Sequence, residues 1–155
     1  MKIACLFVHL GYSKDWEKTE DYKVYTNNVE KLIKEYKGRK IFVYEQDKPI
    51  TITKDIWLSQ EGSGELISKD YFIQARNEGI NQFLLAGEWV YWMGEACVAI
   101  LAKNLKKEGF KTNLIKECVY PLRYSTNTSS FFDEITALPS IKKLYKNSVP
   151  LEQII

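Results

Sequence analysis

The sequence has few cysteines, a single histidine and no long apolar run. Its three cysteines, Cys5, Cys97 and Cys118, are an odd number spread along 155 residues, which is not the pattern of a disulfide framework. No stretch approaches the roughly 18 continuous apolar residues of a membrane span. The N-terminal segment MKIACLFVHL lacks the length and the cleavage site of a signal peptide. We therefore expect a cytoplasmic protein that does not bind membranes.

The sequence also lacks the charge balance and the motifs that indicate nucleic acids, phosphates or metal ions as partners. The chain has 22 basic and 20 acidic side chains, and a net charge of +2 is too small to indicate nucleic-acid binding. Its glycines form no phosphate-binding loop. One histidine without a pair of cysteines at ligand spacing does not indicate a transition-metal site. We expect neither a metal nor a cofactor.

The residues that are plentiful are those of a folded domain. Hydrophobic residues make up 45% of the chain and aromatic residues 14%, and a chain of 155 residues can bury a sizeable core as a single domain over residues 1–155. The aromatic side chains can line a ligand pocket or fill the core, and composition does not separate these alternatives.

Apolar runs and helical spacing alternate along the chain. The runs predict five strands, at residues 3–9, 41–45, 50–53, 82–86 and 112–119. Helical spacing predicts helices that end at Gly38, at Gly79 (about 65–78) and at Gly109 (about 95–108), with another at about 129–146 interrupted by Pro139. Strands that alternate with helices predict a three-layer α/β/α sandwich with a mainly parallel, Rossmann-like sheet.

Cys97 is the strongest candidate for a reactive side chain. Ligands of parallel sheets bind beyond the carboxyl ends of the strands, and Cys97 falls at the start of the helix that follows the strand QFLLA. The helix N-terminus is expected to lower the pKa of the thiol and so to favour a nucleophilic thiolate. The alternative is a small apolar residue that packs under the sheet.

Two further side chains are expected at the same edge of the sheet. Lys54 follows the predicted strand 50–53 and would favour the thiolate and orient a carbonyl group; alternatively it is a solvated lysine that opens a loop. His9 ends the first strand and, with an ordinary pKa near 6.5, could act as a base toward Cys97. A hydrogen-bonded structural histidine is the alternative.

Several aromatic residues and the acidic residue Glu88 lie within about ten positions of Lys54 or Cys97 in the sequence. Trp57, Trp89 and Trp92 would form the walls of a pocket beside the cysteine, and Glu88 would contact a ligand there. Equally, the aromatic side chains can cover the sheet edge or an isologous interface in a homo-oligomer.

The segment FLLAGEW, followed by EACVAILAKNLKKEGFKTNLIKECV, resembles the isochorismatase-like cysteine hydrolases, which include the nicotinamidases. In that family an Asp follows the first strand, a Lys follows the third, and the nucleophilic Cys begins the helix after the fourth. The resemblance places Lys54 in the Lys position, Cys97 in the Cys position and His9 where the family has Asp. It also assigns the oxyanion-binding amides to Ala96 and Cys97. The segment between Gly87 and Cys97 is longer than the family's usual turn.

The resemblance implies hydrolysis of an amide or related C–N bond in a small molecule. Cys97 would attack the carbonyl carbon, His9 would accept the thiol proton, and Lys54 would hold the thiolate and the substrate. A neutral imidazole cannot pair ionically with a lysine, so the change from Asp to His leaves an alternative of another class. In this alternative the chain is a non-catalytic module that binds a small molecule or a protein on the same fold.

Overall fold

The computed structural model describes residues 2–11, 14–15, 19–46, 50–60, 64–88, 97–120 and 139–155. Five strands are formed by β1 (Lys2–Val8), β2 (Arg39–Glu45), β3 (Ile56–Ser59), β4 (Ile80–Glu88) and β5 (Lys111–Tyr120). The α-helices within these ranges are α1 (Glu20–Glu35), α2 (Lys69–Asn77), α3 (Cys97–Lys107) and α4 (Pro139–Lys146), and Leu151–Gln153 form a 3₁₀ turn. None of the described helices is long and apolar enough to cross a membrane.

The five strands form one parallel sheet in the order β3-β2-β1-β4-β5. From β1 the chain first adds β2 and β3 on one side, and it then crosses to add β4 and β5 on the other. The strand order therefore reverses between β1 and β4. Such a switch point leaves a crevice beyond the carboxyl ends of the strands, where ligands of open parallel sheets bind. The predicted α/β class and parallel sheet are confirmed.

Alternate side chains along the strands pack into two hydrophobic cores, one on each face of the sheet. In β1, Leu6 and Val8 join the core beneath α2, α3 and α4, which we call the α3-face core. Cys5 and Phe7 join the core beneath α1 and the 3₁₀ turn, which we call the α1-face core. Because both faces are covered by helices, the two central strands contain continuous apolar runs, IACLFV in β1 and FLLAG in β4.

Capping residues define where the helices begin and end. The Thr19 side chain accepts a hydrogen bond from the Tyr22 amide and begins α1, and Ser68 caps α2 in the same way. Gly79 and Gly109 follow α2 and α3, as predicted. Gly38 does not end α1, because that helix already stops at Glu35.

The third strand differs most from its prediction. Residues 50–53 are not a strand; β3 starts at Ile56, after a turn in which the Ile56 amide donates to the Thr53 carbonyl oxygen at 3.1 Å. β-Branched residues favour the strand conformation, but residues 51–54 are exposed, whereas Trp57 and Ser59 are buried. Burial of the IWLS segment decides which residues pair with β2. Of the predicted helix at 129–146, residues 139–146 form α4, and the part before Pro139 lies outside the described residues.

Candidate active site at the carboxyl edge of the sheet

The carboxyl ends of β1 and β4 meet closely at the switch point because Gly87 has no side chain. Gly87 pairs with Val8, and a Cβ atom on Gly87 would collide with the Val8 carbonyl oxygen. Its φ of +135° is also a backbone conformation that favours glycine. This close approach fixes the positions of His9 and Glu88, the residues that follow Val8 and Gly87.

His9 leaves β1 in a left-handed conformation, with φ of +50°. That conformation costs a non-glycine residue about 1–2 kcal/mol. The His9 amide donates to the Val43 carbonyl oxygen at 3.0 Å, and the Nε2 atom lies 3.0 Å from Ser59 Oγ. The side chain is only 4% exposed. These contacts hold a buried imidazole across the end of β2, which separates β1 from β3.

Cys97 is the first described residue of α3, in the helix that the sequence predicts at about 95–108. The side chain is half-buried and packs against the α3-face core. Burial raises the pKa of the thiol to about 11, and the negative charge of Glu45 at the end of β2 contributes to the rise. The expectation of a lowered pKa is therefore wrong, because burial and Glu45 outweigh the backbone hydrogen bond at the helix start.

Four residues of this edge share one face of the sheet. Glu45 pairs with Ser59 in register and lies two residues beyond Val43, a member of the α3-face core. Ser59 likewise lies two residues beyond Trp57, in the same core. Since alternate strand residues point to the same face, both side chains lie on the face that carries Cys97. His9 joins this group through its hydrogen bond to Ser59.

Lys54 lies at the opposite edge of the sheet. It precedes β3, and its carbonyl oxygen accepts a hydrogen bond at 2.7 Å from Arg39 Nη2 at the start of β2. The prediction that Lys54 follows the third strand at the ligand-binding edge is wrong, because β3 begins after this residue and runs away from it. Arg39 also binds Glu78 and Asp55, so this amino-terminal edge is held by an ion-pair network.

Glu88 lies on the other face of the sheet from Cys97. The Tyr22 hydroxyl of α1 donates to Glu88 Oε1 at 2.5 Å, and the glutamate is 0% exposed. The rings of Tyr22, Tyr25 and Tyr120 pack together at centroid distances of 5.0–5.5 Å beside it. A cavity of about 470 Å³ lies next to α1, and the buried Glu88 is one of its lining residues. In this position Glu88 joins β4 to α1.

The predicted aromatic pocket is only partly described. Trp57 is 1% exposed and stacks on Tyr71 at 5.2 Å, so it belongs to the α3-face core. Trp89, Trp92 and Ala96 lie outside the described residues. Within the described ranges, no group of three or more His, Cys, Asp or Glu side chains could hold a metal ion.

Ser59 is the polar residue of this edge that the sequence analysis missed. Its signal is the alternation in IWLS, where Trp57 and Ser59 share a face. The preceding ITIT segment obscured this signal, because it has the stronger β propensity. With Ser59, the edge provides a thiol, an imidazole, a hydroxyl and a carboxylate, which is a set of groups suited to nucleophilic and acid–base chemistry.

The parallel sheet, covered by helices on both faces, defines the class of this protein as a three-layer α/β fold. No protein-family model and no curated protein matches the chain. Its fold, however, is that of the isochorismatase-like hydrolases, as solved structures of low sequence identity show.

Three of these structures illustrate the likeness. YcaC from Pseudomonas aeruginosa has a TM-score of 0.65 and 14% identity, with 99% of this chain and 78% of that chain covered. An isochorismatase-like hydrolase from Alkaliphilus metalliredigens has a TM-score of 0.63 and 12% identity, with coverage of 99% and 96%. The nicotinamidase from Staphylococcus aureus has a TM-score of 0.60 and 16% identity, with coverage of 96% and 100%.

Proposed function

We propose that this protein is a cysteine hydrolase that cleaves an amide or related C–N bond of a small molecule, with Cys97 as the nucleophile. The observation that carries this proposal is the position of Cys97, which opens α3 at the edge and on the face where His9 is held by Ser59. The fold likeness agrees with it. One similar structure is named a nicotinamidase, and that of YcaC from Pseudomonas aeruginosa contains covalent acrylamide.

A thiol with a pKa of about 11 needs a base at neutral pH. In the proposed first step, His9 accepts the thiol proton while the Cys97 sulfur forms a bond to the carbonyl carbon. The tetrahedral intermediate collapses, the C–N bond breaks, and the leaving nitrogen takes the proton from His9. Water then attacks the thioester carbon and gives a proton to His9; the C–S bond breaks, the acid is released, and the proton on His9 passes to the Cys97 sulfur.

The proposed site differs from the pattern that the sequence resemblance implies. Lys54 is too far from this edge to hold the thiolate, since it lies before β3 rather than after it. His9 and Ser59 are the groups available in place of an Asp and a Lys. Trp89, Trp92 and the amide of Ala96 remain our proposed substrate contacts and oxyanion donor, in a segment that the structure does not describe.

A second function, binding without catalysis, is favoured by two features of the proposed site. The raised pKa of Cys97 leaves the thiol protonated, and the only lysine assigned to the site lies at the opposite edge. A protein with this edge could hold a small amide without cleaving it. Binding of an amide with no release of its amine would identify this alternative.

The experiment that separates these functions measures turnover of a panel of small amides. The panel begins with nicotinamide and N-carbamoylsarcosine, and ammonia release is followed for the wild type and for C97A. We expect at least one member to be hydrolysed and C97A to lose this activity. C118A is the matched control, because it also replaces a cysteine but in the α1-face core, away from the proposed site.

Two results would contradict the proposal. One is hydrolysis that survives in C97A at the wild-type rate. The other is a wild-type protein that hydrolyses no member of the panel and whose Cys97 reacts with acrylamide at pH 7.5 no faster than Cys97 of a His9→Asn variant.

A further inference from the structure

Ser59 occupies a rigid position at the carboxyl end of β3. The strand pairs with β2 through Ser59 and Glu45, and Ser59 also forms an isolated antiparallel bridge with Ile67. The next amide, that of Gln60, donates to the Leu66 carbonyl oxygen at 2.7 Å. The side chain is 6% exposed. The backbone on both sides of the Ser59 hydroxyl is therefore held by hydrogen bonds.

The imidazole of His9 must span β2 to reach this hydroxyl. β1 and β3 are separated by β2, and next-nearest strands lie about 9–10 Å apart. The left-handed φ of His9 turns the chain at the end of β1, and the amide bond to Val43 fixes that turn. The 3.0 Å contact between His9 Nε2 and Ser59 Oγ thus joins two residues whose backbones are both held by hydrogen bonds.

This contact assigns different tasks to the two ring nitrogens. A neutral imidazole has one N–H donor and one basic nitrogen, and the hydrogen bond at one nitrogen sets the state of the other. Nε2 is engaged by Ser59. A proton from Cys97 can then be accepted only at Nδ1, which requires that Nε2 carries the hydrogen.

We propose that Ser59 is the positioning residue for His9: its Oγ accepts a hydrogen bond from Nε2–H and leaves Nδ1 as the basic nitrogen. This deepens the hydrolase function proposed above and rests on it. During the reaction the thiol proton moves to Nδ1, the imidazolium keeps its Nε2–H bond to Ser59, and the Nδ1 proton passes to the leaving nitrogen. Ser59 itself neither gains nor loses a proton.

The tautomer can be measured without any substrate. His9 is the only histidine of the chain, so ¹⁵N-histidine labelling gives one pair of ring-nitrogen signals with no assignment problem. We expect the wild type at high pH to show protonated Nε2 and unprotonated Nδ1. S59A should show a mixture of the two tautomers, and S59T, which keeps the hydroxyl, should restore the wild-type signals.

Kinetics supply the second readout. We expect S59A to lower kcat on the best amide by roughly tenfold to a hundredfold with little change in KM, since misplacement of a reacting group can cost about 10²-fold. S59T should recover most of kcat. S148A is the matched control, because it removes a serine hydroxyl that donates to the Tyr145 carbonyl oxygen at 2.7 Å, far from this edge in sequence. Its signals and kcat should be those of the wild type.

Protonated Nδ1 in the wild type, or an unchanged tautomer and kcat in folded S59A, would overturn the role of Ser59 while leaving Cys97 as the nucleophile. If instead C97A keeps full activity, the hydrolase function proposed above fails, and the role of Ser59 in proton transfer fails with it. The tautomer then reports only the structural hydrogen bond. The two failures are therefore distinguished by different measurements.

Discussion

Replacing His9 with asparagine separates two routes by which Cys97 can lose its proton. The thiol pKa of about 11 means that about 0.03% of the thiol is ionised at pH 7.5, and roughly 9% at pH 10. A positioned general base contributes about 10²–10⁴-fold. We therefore expect H9N to slow alkylation of Cys97 by acrylamide roughly 100-fold at pH 7.5. At pH 10 the thiolate is about 300-fold more abundant, and the two proteins should react at rates within a few-fold of each other.

The assay is peptide mass spectrometry of the acrylamide adduct on Cys97 between pH 6 and pH 10. In the wild type the rate should level off above the His9 pKa, which NMR reads directly from the single imidazole. The rate in H9N should rise tenfold for each pH unit, because only the thiolate route remains. Buried Cys5 and Cys118 serve as internal references for intact folding. Profiles that coincide for wild type and H9N at pH 7.5 would refute a role for His9 as the base.

Three further predictions concern contacts that position the site. G87A should lower the free energy of unfolding by about 3 kcal/mol or more, because its Cβ would collide with the backbone of β1. Tyr22→Phe should cost about 1.5–3 kcal/mol, because it removes the hydroxyl that donates to a buried carboxylate. Arg39→Met should lower the free energy of unfolding by about 2 kcal/mol at pH 7, because it removes the ion pair with Glu78. The loss of stability in Arg39→Met should be smaller in acid, because Arg39 lowers the pKa of Glu78. The Arg39–Glu78 ion pair therefore stabilises the fold at pH values above the ordinary carboxylate pKa. This stabilisation disappears as the pH falls through the lowered pKa of Glu78.

Urea unfolding checks these three predictions against matched variants. Gly64 also has a positive φ, but a Cβ atom added there would meet no described atom within 4 Å beyond its chain neighbours, so G64A should cost clearly less than G87A. Tyr44→Phe removes a hydroxyl from a half-buried tyrosine of β2 and should be nearly neutral. Equal losses within either pair would contradict the explanation given. For Arg39→Met, a loss that stays the same at pH 7 and pH 3 would exclude Glu78 as the source of the stabilisation.

The parallel sheet could be predicted because its signals are local. The central strands β1 and β4 contain short apolar runs, and glycines follow α2 and α3 at Gly79 and Gly109. A helix after β4 that contains Cys97 was also predictable, because helical spacing follows a polar and aromatic segment there. These features depend on neighbouring residues and need no knowledge of distant contacts.

The chemistry of the site depends on contacts between distant residues and could not be predicted in the same way. The pKa of Cys97 is raised by burial and by Glu45, which is 52 positions away. Lys54 was misplaced because β propensity favours ITIT, whereas burial of Trp57 selects IWLS. Glu88 was expected beside the cysteine, but alternation in β4 carries it to the face of α1.

Trapping of an acyl-enzyme tests most directly whether Cys97 is the nucleophile of a hydrolase. The wild type is quenched in acid during turnover of the best amide of the panel, and the peptide that contains Cys97 is weighed. We predict a mass increase equal to the acyl group on Cys97, absent from C97A and formed more slowly in H9N. Turnover that proceeds with no acyl group on Cys97, while C97A remains active, would contradict the assignment.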